Sequence, residues 1–198
     1  EPQAKVVFIG PCIAKKTEAT LPDLAGAIDF VLTFQELAAI FQATGVNPAT
    51  LADEENASAS RAGRIYARTG GVSEAVAETL ARILPNRATD LKPLKVDGIP
   101  NCQKVLEQAK SGAFDANFIE GMACVGGCVG GPGRITPIDA STSAVNLYGA
   151  KAAAATPVEN PQVYQLLTRL DLEMSASVLT QQSPAASILS RCIQKPSS

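Results

Sequence analysis

The sequence predicts an α/β fold of short, mostly parallel strands flanked by helices. Three observations carry that expectation: short apolar runs stopped by Gly or Pro, amphipathic stretches at helical spacing, and alternation of the two along the chain. The 198 residues approach the upper end of one compact domain, so the chain reads as a single unit over 1–198, in one piece or as two closely packed lobes. Apolar residues make up 46% and charged residues 18%, a globular rather than a disordered composition. Aromatics are only 5% and alanine is abundant, which points to a helix-rich core of small side chains.

Taken in order, residues 5–9 (KVVFI) read as a buried strand stopped by Gly10-Pro11, and residues 27–33 (AIDFVLT) as a second strand. Phe34, Leu37, Ala38 and Phe41 recur at helical spacing, and Gly45 closes that helix. Residues 46–62 are polar and acidic and read as a loop, with Asp53-Glu54-Glu55 as a solvated charge run. Val72, Ala75, Val76, Thr79, Leu80 and Ile83 form an amphipathic helix opening after Thr69-Gly70-Gly71. Residues 94–98 make a third short strand, and residues 101–111 a helix with Cys102, Val105, Leu106 and Ala109 on one face. Residues 117–120 (NFIE) return as a strand that runs into a cysteine- and glycine-rich segment. Further helix is expected at 161–170 and 185–193, with a frayed tail at 194–198.

The net charge of −2 gives no long-range attraction for nucleic acid or anionic lipid. No run reaches the roughly 18 apolar residues of a membrane span, and no basic-apolar signal segment opens the chain. The expectation is therefore no nucleic-acid partner and no membrane. Histidine is absent, which removes Ser-His-Asp and Cys-His catalysis and every His-containing metal site. The first residues are Glu-Pro-Gln-Ala, without a Met, and lead at once into a strand, which reads as a piece of a longer protein. Five cysteines (Cys12, Cys102, Cys124, Cys128 and Cys192) without secretory features suggest a reducing, cytoplasmic compartment rather than a disulfide framework.

Two strand ends hold cysteines. Cys12 follows Gly10-Pro11, and Cys124 and Cys128 follow the NFIE strand. A Cys-x-x-x-Cys spacing at the start of a helix sets two sulfurs on one face, beside N–H groups that stabilise thiolate charge. Gly126, Gly127, Gly130 and Gly131 are expected to let backbone approach a bulky inorganic centre. Soft sulfur ligands from separate strand ends, without Cys-x-x-Cys pairs or histidine, suit an iron–sulfur cluster better than zinc. No Lys-Ser/Thr follows the glycine run, so it is not a nucleotide loop.

These residues resemble a known family. Residues 10–18 (GPCIAKKTE) resemble the second signature of iron-only ([FeFe]) hydrogenases, Met-Pro-Cys-x-x-Lys-x-x-Glu, and residues 120–128 (EGMACVGGC) resemble the third, Glu-x-Met-x-Cys-x-x-Gly-Cys. Residues 29–37 (DFVLTFQEL) and 69–74 (TGGVSE) are similar too, and in the expected order. The resemblance implies the fold of the C-terminal domain of that hydrogenase. It implies a [4Fe-4S] cluster bridged by one cysteine to a diiron unit carrying CO, CN⁻ and a dithiolate, together the H-cluster. It assigns Cys12, Cys124 and Cys128 as metal ligands, with Cys128 as the bridge. Lys15 is implied as the donor to a cyanide and Met122 as the residue packed beside the diiron unit, both counted with the catalytic set. Glu18 would stand behind the ligands, and Glu120 would anchor the strand end. The implied chemistry is reversible 2H⁺ + 2e⁻ ⇌ H₂, with H₂ and protons as substrates, an electron carrier such as ferredoxin as partner, and the N-terminal remainder of the same protein completing the site.

Three departures shape the expectation. The family's first signature, which supplies the fourth cluster ligand and a proton-transfer cysteine, is absent from these residues; Gly10 replaces a methionine; and Gly131-Pro132-Gly133 interrupts the glycine run. The chain alone is therefore expected to be inactive, with an empty cysteine region. Two alternatives stand beside the enzyme: an H₂-sensing protein with the same cluster domain, and an iron–sulfur carrier or assembly protein without the diiron unit. Cys102 and Cys192 read as core packing on helical faces. Arg61, Arg64 and Arg68 read as a polar loop and strand margin.

Overall fold

A computed structural model describes residues 3–53, 58–112 and 114–170. The fold is α/β, with short parallel strands flanked by helices. Strand β1 (Val7–Ile9) pairs in parallel with β2 (Phe30–Leu32), in the register Val7↔Phe30 to Ile9↔Leu32. Helix α1 (Ala14–Glu18) lies in the crossover between them. A second parallel pair joins β3 (Pro93–Asp97) to β4 (Phe118–Met122), in the register Pro93↔Phe118 to Asp97↔Met122, through helix α5 (Ile99–Lys110). Parallel neighbours require such crossovers, and α5 is the helix that the sequence placed between two strand-forming runs.

Local chemistry sets the ends of the elements. Helix α2 (Phe34–Thr44) opens on a complete capping box, in which Thr33 accepts from Glu36 N and the Glu36 carboxylate accepts from Thr33 N at 2.7 Å. It closes on Gly45 in the left-handed region. Helix α4 (Gly71–Ile83) starts after Thr69-Gly70, as its apolar periodicity implied.

The core sits beside the second strand pair. Ala62, Ile65 and Ala75 are buried where α3 (Arg61–Arg64), the 3-10 turn Ile65–Ala67, α4 and α6 (Ile138–Ala150) meet. Small residues allow that approach: a Cβ at Gly149 would stand 2.8 Å from Ile65 Cγ2. The three arginines read from sequence as loop and margin are instead structural. Arg61 pairs with Glu74 and Glu78, Arg68 pairs with Glu74, and Arg64 stacks 4.2 Å from the Tyr148 ring centroid. Burial raises the Glu74 carboxyl, but hydrogen bonds from Arg68 and Arg61 outweigh it, and the net effect is downward.

Other expectations need correction. Residues 46–62 are not all loop: a 3-10 turn (Pro48–Thr50) is capped by Asn47, and α3 begins at Arg61. Helix α6 has no counterpart among the elements expected from sequence. Glu54, Glu55, the 185–193 helix, Cys192 and the 194–198 tail lie outside the described residues.

Candidate functional site

The two cysteine-bearing loops leave the carboxyl ends of β1 and β4, where parallel α/β sheets place their functional groups. The first loop begins at buried Gly10, whose N–H donates to Leu32 O at 3.0 Å. Cys12 is half-buried there, and Lys15 follows in α1 with its ammonium paired to Glu18.

The second loop is not the helix that a Cys-x-x-x-Cys spacing suggested. Cys124 lies in a turn closed by Gly127 N donating to Cys124 O at 3.0 Å, and Cys128 opens a 3-10 turn (Cys128–Gly130). Gly126 (φ 83°) and Gly127 (φ 89°) explain the difference, because positive φ at two consecutive residues cannot continue a right-handed helix. The glycines also serve a different purpose from the one expected. A Cβ at Gly127 would lie 2.5 Å from Thr69 N, and one at Gly131 would lie 2.5 Å from Pro11 O. Gly126 and Gly130 likewise face the Ile138 side chain and the Val125 carbonyl. Their missing side chains make room for protein, not for an inorganic centre.

That close packing brings the loops together. Gly133 N donates to Pro11 O, one residue from Cys12, at 2.8 Å, and Gln35 N donates to Gly133 O at 3.2 Å. On the other side Thr69 N donates to Gly126 O at 3.0 Å, and Asp97 Oδ2 accepts from both Gly126 N and Thr69 Oγ1 at 2.9 Å. Glu120, 3% exposed on β4, accepts from Gly70 N at 2.6 Å and Ser73 N at 2.7 Å. It fixes the strand against the N-terminus of α4, where backbone N–H groups favour a carboxylate. Sequence reasoning missed Asp97, Thr69 and the Pro11 carbonyl. The available signals were an acidic residue before Gly98 at a strand end and the family-like stretch 69–74 that Thr69 opens.

The loops place Cys12, Cys124, Cys128 and Lys15 in one electrostatic neighbourhood. The Cys128 thiol is pushed up, first by partial desolvation of its sulfur and then by Cys12 and Cys124; Lys15 offsets part of this. Met122 ends β4 two residues before Cys124 and is half-buried. Cys102 stands apart on α5, with its Sγ 3.5 Å from Met122 O, as a packed thiol does. Among the described residues no three His, Cys, Asp or Glu side chains converge closely enough for one metal ion. Thiol sulfur without histidine is the donor chemistry that an iron–sulfur centre takes.

Comparison with known proteins identifies the family. The profile of the family described as iron only hydrogenase large subunit, C-terminal domain, matches residues 1–132. The chain is 31% identical to the periplasmic [Fe] hydrogenase large subunit of Nitratidesulfovibrio vulgaris, over 67% of this chain and 39% of that protein. It is 27% identical to cytosolic iron-sulfur assembly component 3 of Pongo abelii, over 82% of this chain and 43% of that protein. The chain therefore spans less than half the length of these curated relatives. A solved structure of an [FeFe]-hydrogenase HydA1 variant from Chlamydomonas reinhardtii superposes with a TM-score of 0.60 at 19% identity, covering 88% of this chain and 61% of that one, a likeness of fold. The chain belongs to the matched family, that of the C-terminal domain found in the large subunits of iron-only hydrogenases.

Proposed function

We propose that Cys12, Cys124 and Cys128 are ligands of a [4Fe-4S] cluster at the junction of the two strand pairs, and that the whole protein is an iron hydrogenase. The observation that supports this most is the joining of the two loops. The Gly133-to-Pro11 bond and the contact of Gly131 with Pro11 hold the chain beside Cys12 against the segment that follows Cys128. When bound, the complete H-cluster supplies reversible 2H⁺ + 2e⁻ ⇌ H₂. The protein's part is ligation by the three thiols, a cationic donor at Lys15 and packing by Met122. Lys15 is two-fifths exposed and already near enough to Cys128 to oppose its upward shift, which suits a donor to an anionic ligand. The remaining cluster ligand and the proton-transfer thiol belong, in this reading, to the N-terminal remainder of the protein, with a ferredoxin-type carrier delivering electrons.

The compartment proposed is cytoplasmic, on cysteine usage. No helix among the described residues is long and apolar enough to cross a membrane, and one relative bears the name periplasmic. A second reading, iron–sulfur assembly without the diiron unit, is favoured by one finding: the match to the assembly component reaches over 82% of the chain, against 67% for the hydrogenase.

Infrared spectroscopy of the full-length protein, matured anaerobically with the diiron cofactor, separates the two. CO and CN⁻ stretching bands together with H₂/D⁺ exchange are expected for the hydrogenase. An intact [4Fe-4S] signal without those bands overturns it in favour of assembly. Bands with only slow exchange overturn turnover and favour the H₂ sensor.

A further inference from the structure

We infer that Asp97 is a positioning residue for the cysteine loop, setting the register in which Cys124 and Cys128 present their thiols; the inference rests on the cluster reading above. Gly126 lies midway between the two cysteines. Its N–H donates to Asp97 Oδ2 at 2.9 Å, its carbonyl accepts from Thr69 N at 3.0 Å, and Thr69 Oγ1 donates to the same Asp97 oxygen at 2.9 Å. One carboxylate oxygen and one threonine thus hold both polar groups of Gly126.

A Gly-Gly pair has the widest conformational choice of any dipeptide, so its single observed conformation has to be imposed from outside. Asp97 can impose it because its own backbone is fixed. It is the last residue of β3, opposite Met122, and Gly98 N beside it donates to Met122 O at 2.9 Å. The strand pair that leads into the loop therefore also grips the loop from its far side. Thr69 completes the link to α4, whose N-terminus Glu120 anchors to the same strand pair. What the loop requires of residue 97 is an acceptor oxygen rather than a charge. An amide oxygen has two lone pairs and accepts both bonds.

The test uses the full-length protein, loaded anaerobically with ferrous iron and sulfide. The readouts are the rate of cluster loss to an iron chelator and the EPR g-values after reduction, with circular dichroism to establish that each variant is folded. Asp97→Ala is expected to lose cluster about tenfold faster than wild type and to shift the g-values. Asp97→Asn is expected to stay within about threefold of wild type with unchanged g-values. Should Asp97→Ala fail to fold, Thr69→Val reads the same link, with loss about threefold faster. A folded Asp97→Ala chain with wild-type loss and g-values overturns the inference alone, as does Asp97→Asn behaving like Asp97→Ala. A full-length wild-type protein that takes up no cluster overturns the cluster reading and this inference with it.

Discussion

The β1–β2 pair and the β3–β4 pair share one topology, parallel strands with a helix in the crossover, and differ in what surrounds them. Around β3–β4 the helices α3, α4 and α6 bury Ile65 and two alanines, a buried glutamate ties strand to helix, and arginines bridge the layers. Around β1–β2 the strands are three residues long, and Val7, Ile9 and Phe30 are each more than two-fifths exposed. Parallel strands are ordinarily covered on both faces, so this pair gains little from burial. The loop carrying Cys124 and Cys128 is held from β3 and from the turn before α4, whereas the segment beside Cys12 is tied to β2 through Gly10 N and to the second loop through Gly133 N. The difference teaches that the loop of Cys124 and Cys128 is braced by the better-buried region, while the Cys12 segment draws one of its two backbone ties from across the junction.

Substitutions can break or sharpen that contrast, and the largest effect belongs to Glu120. Glu120→Ala leaves the Gly70 and Ser73 N–H groups buried without their acceptor and should cost about 4 kcal/mol in denaturant unfolding. A loss below about 1 kcal/mol would remove the strand-to-helix anchor from the account. Ile65→Ala should follow at about 3 kcal/mol. Phe30→Ala, at a side chain 58% exposed, should stay under about 1 kcal/mol. Equal losses for these two would erase the distinction between the regions.

Glycine substitutions draw the same line more finely. At Gly127 an alanine meets both a positive φ of 89° and the Thr69 backbone at 2.5 Å, and about 3 kcal/mol of destabilisation is expected. Gly26, between β1 and β2, has φ 80° but open space around it, so Gly26→Ala should cost only about 1 kcal/mol, the conformational part.

The smallest effect is a pH dependence confined to α2. The Thr33 N–H first, then Lys16 and the Thr33 hydroxyl, hold the Glu36 carboxyl down at about 2. A depressed folded value means that the ionised cap stabilises the helix above the ordinary glutamate range and loses its effect as pH falls from there towards 2. Amide protection factors in α2, corrected for intrinsic exchange, should therefore fall between about pH 4.5 and 2, while Glu36→Gln shows a flat profile. An unchanged profile in the variant would assign the acid sensitivity elsewhere.

Much of this was legible in the sequence, for identifiable reasons. Helices α2, α4 and α5 carry apolar residues at helical spacing between Gly or Pro signals, and β1 is a clean apolar run, so periodicity finds them. Helix α6 escapes the same reasoning because its sequence, IDASTSAVNLYGA, is rich in residues that compete with helix, and Leu147 and Tyr148 lie outward rather than forming an apolar stripe. The helix expected at Cys124 fails because a four-residue cysteine spacing fits a helix and a glycine-built turn equally well. Gly126-Gly127 was the available warning. The arginine network needs three separate helices in place before its partners meet, which no local pattern encodes. The two signature motifs were readable because each is a nine-residue stretch whose fixed positions agree with a pattern almost throughout, far more than spacing alone supplies.

The most direct test is iron and sulfide bound per molecule of the full-length protein after anaerobic reconstitution, compared across single serine variants. The account predicts that Cys12→Ser, Cys124→Ser and Cys128→Ser each lose most of the cluster absorbance and that Cys102→Ser keeps it. Full cluster uptake by Cys12→Ser would contradict a centre at the junction of the two regions and would leave it, if anywhere, on the β4 loop alone.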